Sequence, residues 1–258
     1  MNIPLYLERI HYHGPLEPEV NTLRSLQRAH LFSVPFENLD IHLGRPIRLG
    51  EDALFEKIVT HHRGGFCYEL NGLFACLLEQ LGYSVARLDA RSINDNGSWS
   101  PDFDHLTLHV RCPGEAGPGW LVDVGWGNGP LEPLRIEAGV EQSQGDRLFR
   151  LVQKGKMYAL EEWIKDESDG SRWIHHYVFD LQVHRMEEYY DCCAYHQTSP
   201  ESIFTRKRIC SLFLPDGRIT LSDLRLITTR GGVREERDLP DEAAFRQVLH
   251  DQFALDLT

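Results

Sequence analysis

The stretch Arg63-Gly64-Gly65-Phe66-Cys67-Tyr68-Glu69-Leu70-Asn71-Gly72 decides how the chain is read. From Cys67 to Leu81, the residues Leu70, Leu73, Phe74, Leu77, Leu78 and Leu81 form one apolar helical face, and Gly82 stands where a C-terminal cap belongs. Gly64 and Gly65 admit a tight or left-handed backbone just before that helix. Cys67 therefore sits at or near a helix start. The first N–H groups of a helix lack intrahelical partners and carry partial positive charge. They favour a thiolate and are able to hold an oxyanion. The position suits a nucleophile. The alternative is a small buried residue at a helix start, because free cysteine often acts as a plain hydrophobe.

A nucleophilic cysteine needs a base, and the base needs an orienting group. Downstream, His105 to Arg111 alternates, with Leu106, Leu108 and Val110 on one face and His105, Thr107 and His109 on the other. Trp120 to Trp126 alternates again and holds Asp123 between valines. The Gly/Pro-rich loop Pro113 to Gly119 folds the two strands into a hairpin. An even register puts His105 and Asp123 on one face; the register itself stays open, and a cap before Gly125 is the other reading of Asp123. A metal site has less support. His105 and His109 would stand about 13 Å apart at ~3.3 Å per residue, and the HExxH and paired CxxC spacings are absent. So are GxGxxG and GxxxxGK[ST].

Three zones surround these residues. Residues 1 to about 85 read as helix, with amphipathic patterns at Pro18 to His30, Glu51 to Thr60 and Cys67 to Leu81. Residues from about 86 to 195 read as short strands, adding Phe149 to Val152, Met157 to Glu161 and His175 to Leu181. They suggest a barrel or sandwich. From about residue 199, Ile209 to Leu214, a Pro215-Asp216-Gly217 turn and Arg218 to Ile227 form a hairpin. Asp241 to Phe253 then closes the chain as a helix with Asp241 as N-cap.

Composition removes several functions. Among 258 residues, 27 basic against 39 acidic side chains give a net charge of −12, which argues against nucleic-acid binding. The longest apolar run, Leu73 to Leu78, is too short to span a bilayer. The N-terminus lacks the pattern of a signal peptide, and the cysteines (Cys67, Cys76, Cys112, Cys192, Cys193, Cys210) form no CxxC pair. The expectation is a reduced, cytoplasmic protein without membrane or nucleic-acid partners.

The motifs together resemble those of the arylamine N-acetyltransferases. Arg63-Gly-Gly-Phe-Cys67-Tyr-Glu-Leu-Asn71-Gly is similar to the family's nucleophile motif, and Val34-Pro-Phe-Glu-Asn-Leu-Asp40 to its N-terminal motif. Asp104-His105-Leu and Val122-Asp123-Val-Gly resemble the segments that carry its histidine and aspartate. Gln197-Thr-Ser-Pro-Glu-Ser-Ile-Phe204, Cys210-Ser-Leu and Pro215-Asp-Gly217 resemble the start of its third domain. The resemblance implies an α+β fold in three parts around a cysteine-protease/transglutaminase-like core. These are an N-terminal helical bundle (1–85) carrying the cysteine, a central β-barrel (86–198) carrying the histidine and aspartate, and a C-terminal α/β lid (199–258). It implies a Cys67-His105-Asp123 triad and ping-pong transfer of acetyl from acetyl-CoA to arylamines, arylhydrazines or arylhydroxylamines, with no metal. A Cys-His-Asp thioester or amide hydrolase, a transglutaminase-like acyltransferase and a non-catalytic binding module are the competing readings.

The same resemblance offers substrate contacts. Phe36, Phe66, Phe103 and Trp126 are candidates for the acceptor slot, and Trp126 stands where the family commonly has Phe. Tyr195, Ser202 and Lys207 are candidates for CoA, Lys207 lying in the basic run Arg206-Lys207-Arg208. Glu201 replaces a hydroxyl residue of some members. The chain ends at Thr258 without the extension of longer members, which implies a more open CoA cleft. Arg63 and Glu37 are expected to pair and fix the loop before Cys67.

Overall fold

The computed structural model describes residues 1–93, 98–165 and 170–257. The first zone is helical: α1 (Ile3–Arg9), α2 (Val20–Ser33), α3 (Leu39–His42), α4 (Glu51–Phe55), which widens into a π-type turn over Glu56–Thr60, and α5 (Cys67–Gln80). The sequence leaves α1 unseen. Helix α5 starts at Cys67 as its spacing predicts, and Glu69 accepts the orphan N–H of Phe66 at 3.1 Å. It ends at Leu81, with Gly82 at φ +96°. Leu70, Leu73, Phe74, Leu77 and Leu78 are fully buried. Each such side chain contributes about 1.5–3 kcal/mol of burial free energy, so α5 is held by packing on almost every side.

One face of β3 (His105–Arg111) lies on α5. Leu106, Leu108 and Val110 join Leu70, Leu73 and Phe74 in the largest core cluster. The opposite face of β3 turns into a barrel rather than to solvent, so His105 and Thr107 are buried too. The barrel is a nearly closed antiparallel sheet of eight strands. Its other members are β2 (Ser84–Ser92), β4 (Trp120–Val122), β5 (Leu134–Arg135), β6 (Glu141–Gln144), β7 (Arg147–Lys154), β8 (Met157–Ile164) and β9 (Arg172–Phe179), in the order β5-β4-β3-β2-β9-β8-β7-β6. Leu88, Leu121, Leu134, Phe149, Leu151, Leu160 and Phe179 fill it.

Two side-chain amides close the seam between β5 and β6. Gln142 donates to the Arg135 carbonyl at 3.0 Å and accepts from the Arg135 N–H at 2.7 Å. Gln144 does the same for Glu132, at 2.8 and 3.0 Å. The amides stand in for a missing ladder and satisfy backbone groups that an open edge would leave unpaired.

The third unit draws on the first. β1 (Phe36–Glu37), unseen in the sequence because it is two residues long, pairs with β10 (Ile209–Leu214). The five-stranded sheet continues through β11 (Gly217–Ser222), β12 (Arg225–Arg230) and β13 (Val233–Asp238). Arg218 to Ile227 is thus two strands, broken by a turn at Asp223 (φ +48°), not the single strand the apolar pattern predicts. The wholly exposed β13 has no apolar signal. Between the sheets lie α6 (Tyr190–Thr198) and α7 (Ile203–Arg206), and α6 interrupts a zone read as strands. Helix α8 (Glu242–Phe253) is capped by Asp241, whose carboxylate accepts from the Ala244 N–H at 2.9 Å.

Replacing Gln142 by Leu should lower stability by about 1–3 kcal/mol, the loss of two part-buried hydrogen bonds. Urea midpoints of wild type and Gln142→Leu measure it. A loss below about 0.5 kcal/mol, the range of an ordinary surface change, would show that the seam needs no amide.

Candidate active site

Asp123 follows the last residue of β4 rather than sitting within it. Its Oδ1 accepts the Gly125 N–H at 2.8 Å, an Asx turn that ends the strand. The expected capping role is therefore present, and it coexists with a second one. Oδ2 meets His105 Nε2 at 2.7 Å. The β3–β4 register, Leu108 opposite Val122, is even, which puts His105 and Asp123 diagonally on one face. Two further donors complete the carboxylate's shell: Asn71 Nδ2 to Oδ1 at 2.9 Å and the Tyr177 hydroxyl to Oδ2 at 2.9 Å. Burial alone would push this carboxyl up, but His105 and the other donors hold it below the usual range.

Cys67 is 3% exposed, at the head of α5. It shares a cavity of about 780 Å³ with His105, Gly125 and Trp126, a volume typical of small-ligand sites. Burial pushes its thiol well up, the Leu106 N–H works against that shift, and the carboxylates of Asp104 and Asp123 add to it. An isolated thiolate here is costly, so ionisation needs a nearby acceptor for the proton. With Nε2 turned to Asp123, Nδ1 of His105 is the ring nitrogen left for that task. Gly125 lets the two motifs approach: a Cβ there would stand 2.7 Å from Cys67 Cα and 2.7 Å from Asn71 Nδ2.

The loop before Cys67 is clamped by charge. Arg63 donates to Glu37 Oε1 at 2.7 Å and reaches Asp40 at 3.0 Å. Lys57 lies 2.8 Å from Asp40 and 2.7 Å from Glu69, the residue that caps α5. Glu37 is fully buried. The expected Arg63–Glu37 pair thus belongs to a cluster of three carboxylates and two cations. Gly64 and Gly65 are not left-handed, contrary to one expectation. A Cβ at Gly64 would collide with the Pro35 carbonyl, and one at Gly65 would stand 2.8 Å from Glu69 Cβ. They are small because strand and helix crowd them.

Of the acceptor candidates, Phe36 and Trp126 line the cavity. Phe66 and Phe103 do not. Phe66 is fully buried, edge-on to Tyr68 and Phe204. Phe103 packs on His184 and Tyr189 at φ +63°, a costly backbone that the Tyr68 hydroxyl and Asp89 hold through its carbonyl and N–H. Of the CoA candidates, Tyr195 and Ser202 line the cavity and Lys207 does not. Ser202 Oγ is already engaged, accepting from the Phe204 N–H and lying 3.0 Å from His196 Nδ1. In the basic run, Arg206 faces the cavity, whereas Arg208 pairs with Glu242 at 2.8 Å over the Phe245 ring.

Sequence reasoning assigned no role to Asn71, Asp104, Tyr177, His196 or Arg218. Asn71 carried a signal, being a polar residue one helical turn after Cys67. Asp104 and His196 approach at 3.2 Å beside the cavity. Burial opposes the imidazolium there, but Asp104 and Cys192 raise His196 to about 9. Asp104, Cys192 and His196 are the one trio, among the described residues, with possible ligand atoms within 4.8 Å of one another. The carboxylate–imidazole contact already pairs two of the three.

Glu37→Gln should cost about 3 kcal/mol, because it leaves buried Arg63 partly uncompensated. Equilibrium urea unfolding measures it. A loss below about 1 kcal/mol would equate the cluster with an exposed pair.

A family profile described as N-acetyltransferase matches residues 19–258. The arylamine N-acetyltransferase / N-hydroxyarylamine O-acetyltransferase of Salmonella typhimurium is 34% identical over 253 residues, 97% of this chain and 87% of that one. The solved arylamine N-acetyltransferase of M. tuberculosis superposes with a TM-score of 0.91 at 33% identity, over 99% of this chain and 94% of that one. The Mycobacterium marinum arylamine N-acetyltransferase, solved in complex with CoA, gives a TM-score of 0.90 at 33% identity, over 98% and 92%. With its motifs in order and its fold shared over nearly its whole length, the chain belongs to the arylamine N-acetyltransferase family and is an acyltransferase.

Proposed function

We propose that the protein carries acetyl from acetyl-CoA to arylamines, arylhydrazines or arylhydroxylamines through an acetyl-cysteine at Cys67. The observation that carries this reading is one cavity holding a helix-start cysteine and a histidine whose far nitrogen is fixed by a buried aspartate.

His105 Nδ1 takes the Cys67 proton, and Asp123 stabilises the imidazolium and holds its tautomer. The thiolate adds to the thioester carbonyl. The carbon–sulfur bond to CoA breaks, and the departing sulfur takes the proton back from His105. The amine then attacks acetyl-Cys67, its proton passes to His105, and the cysteine sulfur leaves. Phe36 and Trp126 offer apolar walls to an aromatic acceptor. On the CoA side, Tyr195 and Arg206 border the cavity, and Arg206 offers a cation to its phosphates. The CoA-bound relative supports that donor. Residues 1–85, 86–198 and 199–258 then act as nucleophile bearer, base bearer and lid. Six unpaired cysteines fit a reducing, cytoplasmic setting, and no helix among the described residues is long and apolar enough to cross a membrane.

Intact-protein mass after brief exposure to acetyl-CoA tests the reading. Wild type should gain one acetyl group that an arylamine removes, and Cys67→Ala should gain none. CoA release without an adduct would make the protein a hydrolase instead.

A further inference from the structure

The loop after Asp123 runs from Trp126 to Gly129, and its Trp126, Gly127 and Asn128 line the cavity. Arg218 of β11 holds it from the third unit by donating to the Gly127 carbonyl at 3.0 Å, and the barrel holds it from behind. The Trp126 indole N–H donates to His176 Nδ1 at 2.9 Å, and His176 Nε2 lies 2.9 Å from Glu162 Oε2. Since Nδ1 accepts, Nε2 carries the proton and donates it to the carboxylate. Glu162 also receives Arg147 Nε at 2.7 Å on Oε1 and Arg147 Nη2 at 3.0 Å on Oε2. Arg147 donates in turn to the carbonyls of Asn128 and Gly129, each at 2.8 Å. One buried carboxylate thus holds the loop twice, by the indole through His176 and by the backbone through Arg147.

The strand is irregular where this requires it. Tyr177 pairs with Leu160 and His175 with Glu161, so His176 is an extra residue that the β8 ladder does not match. A bulge redirects side chains. Here Tyr177 still reaches Asp123, and its neighbour His176 is also buried and reaches Trp126. In a regular strand these two would point to opposite faces. The indole so held stands edge-on to His105, with ring centroids 4.9 Å apart, and equally close to Tyr177.

We propose that His176 and Glu162 are positioning residues that set the acceptor-side wall, fixing Trp126 against His105 through the bulge in β9. Neither residue lines the cavity. They act on which amine fits and leave the loading of Cys67 alone. The proposal rests on the acetyl-cysteine reading above.

The test separates the two half-reactions. The burst of CoA release, without acceptor, reports loading, and steady-state KM and kcat for an arylamine such as p-aminobenzoate report transfer. His176→Leu, which cannot accept from the indole, should keep the burst rate within twofold and change the arylamine KM at least fivefold. His176→Gln, whose amide can accept from the indole and donate to Glu162, should restore KM to within twofold of wild type. In a Trp126→Phe background, His176→Leu should add less than twofold, because the N–H it serves is gone. If His176→Leu does not fold, Glu162→Gln supplies the same comparison, with a KM change in the same direction. The inference falls if His176→Leu leaves KM unchanged, if it slows the burst as much as transfer, if Gln fails to rescue, or if its effect is fully retained in the Trp126→Phe background. A wild type with no burst overturns the acetyl-cysteine reading itself, whereas a normal burst with an unaltered variant KM overturns this inference alone.

Discussion

The Asp123 carboxylate is the contact on which the site depends. It takes hydrogen bonds from His105 on β3, Asn71 on α5, Tyr177 on β9 and the Gly125 N–H of its own turn. The helical zone and both halves of the barrel therefore meet at one buried charge. A carboxylate in such a place is costly unless it is fully hydrogen-bonded. Its donors meet that need, and the need dictates their geometry. Asn71 is doubly tied, because its carbonyl oxygen also accepts the Val124 N–H at 2.9 Å. The register between helix and barrel is thereby set to within a hydrogen bond, and Cys67 lies one helical turn before Asn71.

In the proposed mechanism the same logic makes a deeply buried cysteine compatible with reactivity. Burial and nearby carboxylates raise the thiol, so the helix start alone does not supply a thiolate. In the proposed mechanism the Asp123–His105 hydrogen bond changes the balance by engaging Nε2 and leaving Nδ1 of the imidazole for the thiol proton. A second cluster, Glu37, Asp40, Arg63, Lys57 and Glu69, fixes the loop that delivers Cys67. It also binds the C-terminal sheet to the loop before Cys67, since Glu37 lies in β1, which pairs with β10.

Much of this was legible in the sequence, for physical reasons. Helix α5 carries a long apolar periodicity and a glycine stop. The hairpin brings His105 and Asp123 near each other, but the even register that puts them on one face is open in the sequence and is supplied by the structure. What stayed hidden depends on contacts distant in sequence. Tyr177 looks like any strand aromatic, and β1 is too short to show a period. The bulge at His176 has no local signature. Phe66 and Phe103 belong to matching motifs yet serve the core. The two glycines before Cys67 suggest freedom of φ in the sequence, whereas in the structure neighbouring backbone and Glu69 crowd them. Lys207 and Arg206 are adjacent, and only the turn of α7 decides which one meets the cavity.

The most direct test of this dependence on Asp123 is the pH profile of Cys67 alkylation by iodoacetamide in wild type and Asp123→Asn. If Asp123 enables His105 to take the thiol proton, the wild-type rate should stay high well below the free-thiol pKa of about 8.5. The Asn variant should then lose at least tenfold at pH 7 and recover only at high pH, because burial leaves its thiol raised. Overlapping profiles, or a wild-type midpoint above the free-thiol value, would contradict the central role of the carboxylate.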